Sequence, residues 1–266
     1  METESGEILW PIAEIIGSAV SRYSSISAVS SVLGVCIVLN APLVSFDVMA
    51  HLFSNFRLRI CADGGANAVL DTFRSIADPL STFPFIPHLV VGDLDSIRDD
   101  VRSFFSDRGV EIRQVSDQSN TDLDKALLVA EATVGGSSPQ FTAIVGSIGS
   151  HEGRIDQFFA VIQSMYMYRH SKQLRLVQVG NESILIVLTE GVHQVEMPAS
   201  AIGKHCGLVP VFGRVERVVT SGLEWNLSQD LGPLAFGGLV STNNIIRDAV
   251  VHVETSHPLL FTITYR

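Results

Sequence analysis

The amino-acid sequence predicts an α/β fold: an N-terminal parallel-sheet, Rossmann-like α/β domain followed by a C-terminal all-β sandwich. Three observations predict it. Short continuous apolar runs at 34–39, 58–62, 88–91 and 141–145 have the composition of strands buried on both faces. Helical periods lie between and after them, at 46–53, 66–76, 99–107, 123–134 and 155–168, and such alternation indicates a parallel sheet covered on both sides. Beyond about residue 172 the helical period disappears and strand-like runs follow at 174–179, 184–188, 208–212, 215–219, 238–241, 249–254 and 259–265. Turn signals such as Ser221-Gly222 and His257-Pro258 separate them, as a sandwich requires. The expected boundaries are 1–31 for an N-terminal extension, 32–172 for the α/β domain and 173–266 for the β domain.

Taken in order, Ile8, Ile12, Ile15 and Ile16 fall at helical spacing, and a Ser-rich stretch follows at 18–31. An accessory helix with a flexible connector is expected there. The 266 residues are 46% hydrophobic and 17% charged, which excludes disorder as the overall state. Mean hydropathy is +0.31, yet the most apolar run, 32–48, is broken by Asn40, Pro42 and Asp47. A spanning helix needs about 20 apolar residues, so no membrane partner is expected. Lys plus Arg total 18 against 28 Asp plus Glu, a net charge of −10 with no dense basic cluster, so no nucleic acid is expected either. Cys36, Cys61 and Cys206 lack metal or disulfide spacing and suit a reducing compartment. Glu2, Glu4 and Glu7 precede any Arg or Lys, which is wrong for a secretory or mitochondrial signal, so a cytoplasmic location is expected.

The chemistry gathers where strands end. Gly92-Asp-Leu-Asp-Ser-Ile97 places Asp93 and Asp95 just beyond an apolar strand, where ligands bind in open parallel sheets. Two hard oxygen donors there suit Mg²⁺; a solvated turn with a capping Asp is the equally balanced alternative. Asp63 follows another strand, with Gly64 and Gly65 allowing close approach. The segment 118–125 opens a helix that Asn120 or Thr121 can cap, and the helix dipole alone would account for Asp122 and Asp124. A Gly-rich loop at 146–153 leads to Arg154 and Asp156 at a further helix start, a setting suited to phosphate oxygens. Four such junctions on one sheet edge describe a Mg²⁺–polyphosphate site. In the β domain Trp225 is one of two tryptophans. It either packs in the core or stacks on a flat cationic heterocycle.

The motifs CADGGAN (61–67), GDLDSI (92–97), DQSNTD (117–122), GRIDQ (153–157), CGLVP (206–210), TSGLEWNL (220–227), FGGLVSTNN (236–244) and VETSHPLLFT (254–262) run in order along the chain. Together they resemble the eukaryotic thiamine pyrophosphokinase family. The resemblance implies transfer of the pyrophosphoryl group of ATP to the hydroxyl of thiamine, giving thiamine diphosphate and AMP. It implies Mg²⁺, with ATP as co-substrate, and a homodimer with intersubunit active sites. Carried over by position, Asp63, Asp93, Asp95 and Asp122 are the metal acids. Asp93, Asp95, Asp122 and Arg154 carry the catalysis, while Asp63, Thr121, Arg154 and Asp156 serve the nucleotide. Gln118, Trp225, Ser241 and Asn244 fall at or near the thiamine. The sequence departs from the family at Glu152 in the glycine loop, at His205 where animal members carry Trp, and at Asn243 in place of Ser. The altered loop and His205 admit a pyrophosphokinase for another heterocyclic alcohol; a non-catalytic thiamine-diphosphate-binding protein is a further alternative, against which the intact carboxylate set argues.

Overall fold

A computed structural model describes residues 6–16, 33–42, 44–76, 85–117, 119–134, 140–145 and 154–266. They form two compact units, one lying within 26–181 and the other drawn from 1–25 and 182–266. The chain enters through the second. Ile8–Trp10 is strand β1 and Ile12–Ile16 is the short helix α1. The isoleucine pattern is thus split. Pro11 has no N–H to extend a strand ladder and its fixed φ suits a helix start, and its carbonyl accepts from Glu14 and Ile15. Ile12, Ile15 and Ile16 are buried. The expected connector at 18–31 lies outside the described residues.

The α/β unit contains β2 (Leu33–Val38), α2 (Phe46–Asn55), β3 (Phe56–Ala62), α3 (Gly65–Ile76), β4 (Leu89–Gly92) and α4 (Asp99–Ser106). It continues with β5 (Glu111–Gln114), α5 (Asp122–Thr133), β6 (Gln140–Val145), α6 (Ile155–Met167) and β7 (Leu174–Val179). Its strands pair in parallel in the order β7-β6-β2-β3-β4-β5. Val35, Cys36, Ile37 and Val38 of the central β2 are fully buried, as a strand covered on both faces demands. From β2 the chain adds β3, β4 and β5 on one side, then returns to place β6 and β7 on the other. The strand order therefore reverses between β2 and β6, the point where open α/β sheets bind ligands. Leu174–Val179, the first run after residue 172, pairs with β6 and belongs to this unit. The five helices fall within two residues of the periodic patterns. Strand β5 has no apolar run to announce it, because it is an edge strand with mostly exposed residues.

The β unit contains β8 (Ser183–Leu188), β9 (Gly191–Glu196), β10 (His205–Val209), β11 (Val218–Ser221), β12 (Ser241–Ile245), β13 (Val250–Thr255) and β14 (Leu259–Thr264). Four of these pair antiparallel in the order β12-β10-β14-β8. The other sheet runs β1-β9-β13-β11, with β1 parallel to β9. Burial alternates along β9 and β13, giving each one wet face. Four strands differ from the sequence expectation, one of them β11, which starts at Val218 rather than at 215. Polar His193 and Gln194 hid β9; β10 ends at Val209 because Pro210 donates no N–H; and 238–241 is the approach to β12, after a turn at Gly237 with φ of 83°. His193 fastens the N-terminal strand: its Nδ1 accepts from Trp10 Nε1 at 3.1 Å and its Nε2 meets the Thr189 carbonyl at 2.8 Å. A carbonyl partner makes Nε2 the protonated nitrogen and leaves Nδ1 free to accept. Among the described residues no helix is long and apolar enough to cross a membrane.

Candidate active site

The site is built on the carboxyl ends of β3 and β4 and the start of α5. Asp63, Asp93 and Asp122 each offer a carboxylate oxygen, and these oxygens lie within 4.8 Å of one another. Asp63 sits just past β3 with φ of 40° and is fully buried. Its two oxygens accept from the backbone N–H groups of Ser96 and Ile97, each at 3.0 Å, so it shapes the loop that carries Asp93. Burial pushes its carboxyl pKa up; the two amides oppose this, and the nearby Asp122 charge adds to it. The same loop is held by Asn67, which donates to the Ser96 carbonyl at 2.8 Å and accepts from Arg98 N at 3.0 Å. Gln114 of β5 donates to the Asp93 carbonyl at 3.0 Å. Leu94, at φ of 67°, lies in the left-handed region, and backbone of this kind persists where its surroundings over-determine it.

Two residues that the sequence analysis passed over complete this arrangement. A Cβ on Gly92 would lie 2.6 Å from Asp63 Cβ and 3.0 Å from Asp122 Oδ1, so the acids close over a position that has room only for hydrogen. Lys125, 3% exposed, places Nζ 3.0 Å from Asp122 Oδ1 and 3.6 Å from Asp93 Oδ2. Burial works against its ammonium, but the hydrogen bond to Asp122 and the charges of Asp122 and Asp93 prevail and hold its pKa above the ordinary lysine value. The available signal was spacing: Lys125 follows Asp122 by three residues, hence on one helix face.

Of the two capping candidates, Thr121 caps α5. Its hydroxyl accepts from Asp124 N at 3.1 Å, and Asp124 Oδ2 accepts from Thr121 N in return. Asp124 Oδ1 takes a hydrogen bond from Ser164 at 2.6 Å, tying α6 to the start of α5. Beside this junction a cavity of about 490 Å³ is lined by Asn40 and Pro42 beyond β2, Thr121 and Asp122 at the start of α5, and Arg154 and Gln157 at the start of α6. It therefore occupies the reversal point of the strand order. Exposed Arg154 pairs with Asp156, donating from Nε at 3.1 Å. Asp95 is exposed and accepts from its neighbour Ser96 Oγ at 2.8 Å; it is not in the three-acid group. Gln118 and the glycine loop at 146–153, including Glu152, lie outside the described residues. Gly64 and Gly65 serve a close approach within the chain, since Cβ atoms there would meet the Asn40 side chain at 2.4 Å and the Val38 carbonyl at 2.2 Å.

The aromatic element belongs to the β unit. Trp225 is 59% exposed, so it does not pack in the core. Its backbone is clamped by Asn244, whose Oδ1 accepts from Trp225 N at 3.1 Å and whose Nδ2 donates to Trp225 O at 2.7 Å. Asn244, 3% exposed, stands behind the surface that Trp225 presents, and Ser241 on the same strand is 9% exposed. Asn243 adopts φ of 58°, a conformation that Asn tolerates better than most residues. His205, at the start of β10, is exposed.

Comparison with known proteins bears on both units. Residues 49–177 match the family model "Thiamin pyrophosphokinase, catalytic domain", and 192–260 match "Thiamin pyrophosphokinase, vitamin B1 binding domain". Thiamine pyrophosphokinase 1 of Oryza sativa subsp. japonica is 34% identical over 238 residues, covering 86% of each chain. Thiamine pyrophosphokinase 1 of Arabidopsis thaliana is 33% identical over 236 residues, covering 86% of this chain and 85% of its own. The fold is similar to that of thiamin pyrophosphokinase from Candida albicans, with a TM-score of 0.79 at 19% identity over 100% of this chain and 95% of that one. The yeast enzyme gives a TM-score of 0.76 at 17% identity. With both units matched in order and relatives above 30% identity aligned across most of its length, the chain belongs to the thiamin pyrophosphokinase family of transferases.

Proposed function

We propose that the chain transfers the β,γ-diphosphoryl group of ATP to the hydroxyl of thiamine. The observation that carries this reading is the convergence of three carboxylates and one ammonium beside a cavity at the reversal point of a parallel sheet. The thiamine oxygen forms a bond to the β-phosphorus, the bond from that phosphorus to the α,β-bridging oxygen breaks, AMP leaves, and the hydroxyl proton is released. Such transfers ask a protein for positioning and charge stabilisation rather than covalent help.

Asp63, Asp93 and Asp122 would hold Mg²⁺, joined on nucleotide binding by Asp95 from the same loop. The donor set fits: all are hard oxygens, and bonds of about 2.1 Å allow ligand oxygens up to ~4.2 Å apart, a small closure from the observed grouping. When bound, the cation supplies positive charge to the phosphate oxygens. Thr121, at the positive end of α5, faces the cavity and offers its hydroxyl and helix-start amides to phosphate. Arg154 exchanges part of its pairing with Asp156 for phosphate oxygens, and Asp156 keeps the guanidinium oriented. Trp225 stacks on thiamine; Asn244 and Ser241 act from behind it, and Gln118 completes the thiamine end.

In the same reading the enzyme is a cytoplasmic homodimer in which the acids of one chain and Trp225 of the other serve one site. Support comes from the family resemblance and from the location of these groups on different units. Incubation of the purified protein with ATP, Mg²⁺ and thiamine should release AMP in step with thiamine diphosphate. Absence of AMP would reject the reading. For the shared site, Asp93→Asn and Trp225→Ala chains are mixed to form heterodimers. With equal amounts about half the dimers are mixed, and one site of each mixed dimer carries both lesions and the other none, so about one quarter of all sites should recover. No recovery in verified heterodimers rejects sharing.

A further inference from the structure

A lysine that is 3% exposed and points its ammonium into an acid group invites a question about its purpose. Lysine is almost never buried unless paired. Lys125 is followed by buried Ala126 and Leu127 and stands in α5 one turn after Asp122, so the helix directs its Nζ to the gap between Asp122 and Asp93. Its two partners come from different segments, β4's loop and α5's first turn, and they would repel one another without a cation between them.

We propose that Lys125 is a positioning residue that holds Asp93 and Asp122 together before the metal arrives and competes with the metal for them. This rests on the reading above that these acids hold a divalent cation. The ammonium pre-assembles the ligand set, so the acids need not be gathered at the moment of loading. It also weakens binding of the free cation. Metal therefore loads preferentially with the nucleotide, whose phosphates add the negative charge that the ammonium has offset.

The test measures Mn²⁺ binding to the full-length protein without nucleotide, by the EPR signal of free Mn²⁺, in wild type, Lys125→Met and Lys125→Arg. Removing a positive charge this close to the ligands should tighten Mn²⁺ binding at least ~10-fold in Lys125→Met, whereas Lys125→Arg stays near wild type. Melting temperature gives a second readout: without metal Lys125→Met should melt below wild type, and Mn²⁺ should raise its Tm more than it raises that of wild type. Equal or weaker Mn²⁺ binding in Lys125→Met would make the lysine a packing element and overturn the proposal. So would Lys125→Arg behaving like Lys125→Met. A Lys125→Met chain that folds only with Mn²⁺ present supports the proposal, and one that folds under neither condition overturns it. Absence of Mn²⁺ binding in all three proteins rejects the cation site itself, and with it the role of Lys125.

Discussion

In the α/β unit the acid group draws Asp63 from the end of β3, Asp93 from the end of β4 and Asp122 from the first turn of α5. In the β unit the backbone of exposed Trp225 is clamped by the side chain of Asn244, from β12. The first arrangement is half-buried, crowded and assembled from segments far apart in sequence; the second is an exposed surface on a locally clamped turn. Crowding makes the acid group intolerant of added atoms, while the clamp makes the Trp225 loop sensitive to one hydrogen-bonding side chain. The two regions should therefore fail differently.

The largest effect is expected from charge removal in the acid group. Asp93→Asn should lower turnover at least ~100-fold at unchanged fold stability, through lost charge stabilisation of the transferring phosphates. Asp95→Asn should cost less, since its carboxylate stands outside the gathered three. Steady-state kinetics on both variants checks the order, and equal losses would place Asp95 fully in the group. Next, Gly92→Ala should destabilise the α/β unit by ~1–3 kcal/mol through overpacking against Asp63 and should also lower turnover. Thermal melts together with kinetics separate this from Asp93→Asn; a Gly92→Ala enzyme with normal Tm and activity would show that the acids do not close over that position.

In the β unit, Trp225→Ala should raise the thiamine KM about 10-fold with little change in the ATP KM, because stacking serves one substrate. Asn244→Ala should reproduce that selectivity and also lower Tm, since the freed Trp225 amide and carbonyl lose their partner. Equal changes in both KM values would remove Trp225 from the thiamine end. The smallest effect concerns thiols in both regions. Burial pushes the Cys36 thiol in the α/β unit and the Cys206 thiol in the β unit up to about 12, so neither should react with a thiol reagent at pH 8 until its unit opens. Prompt labelling of either would show that its sheet is loosely closed.

Much of this architecture was legible in residue order. Apolar runs and helical periods marked the five helices and most strands of the α/β unit, because a parallel sheet buried on both faces needs continuous hydrophobic strands. Strand β5 was not legible, since an edge strand carries no such run. Nor was β9, whose His193 and Gln194 break the apolar pattern although His193 is fully buried and hydrogen-bonded to Trp10. The acids were legible by position after strands. Their division of labour was not: Asp63 is spent largely on the amides of Ser96 and Ile97, and Asp124, two residues from Asp122, closes the capping box with Thr121. Trp225 illustrates the same limit, for composition favours a buried tryptophan and only the fold leaves it exposed.

By itself the sequence determined the alternation of strands and helices, the change to β structure after the sixth helix, the placing of acids and glycines at strand ends, and the motifs of the thiamin pyrophosphokinase family. These follow from short-range physics: periodic burial, turn chemistry and capping act between residues near one another in the chain. Only the tertiary structure decided which acids meet, that Lys125 stands among them, that Gly92 has no room for a side chain and that Asn244 turns inward to hold Trp225. Each of those facts depends on distances between segments tens of residues apart, and the packing of strands against helices sets such distances, which local spacing does not encode.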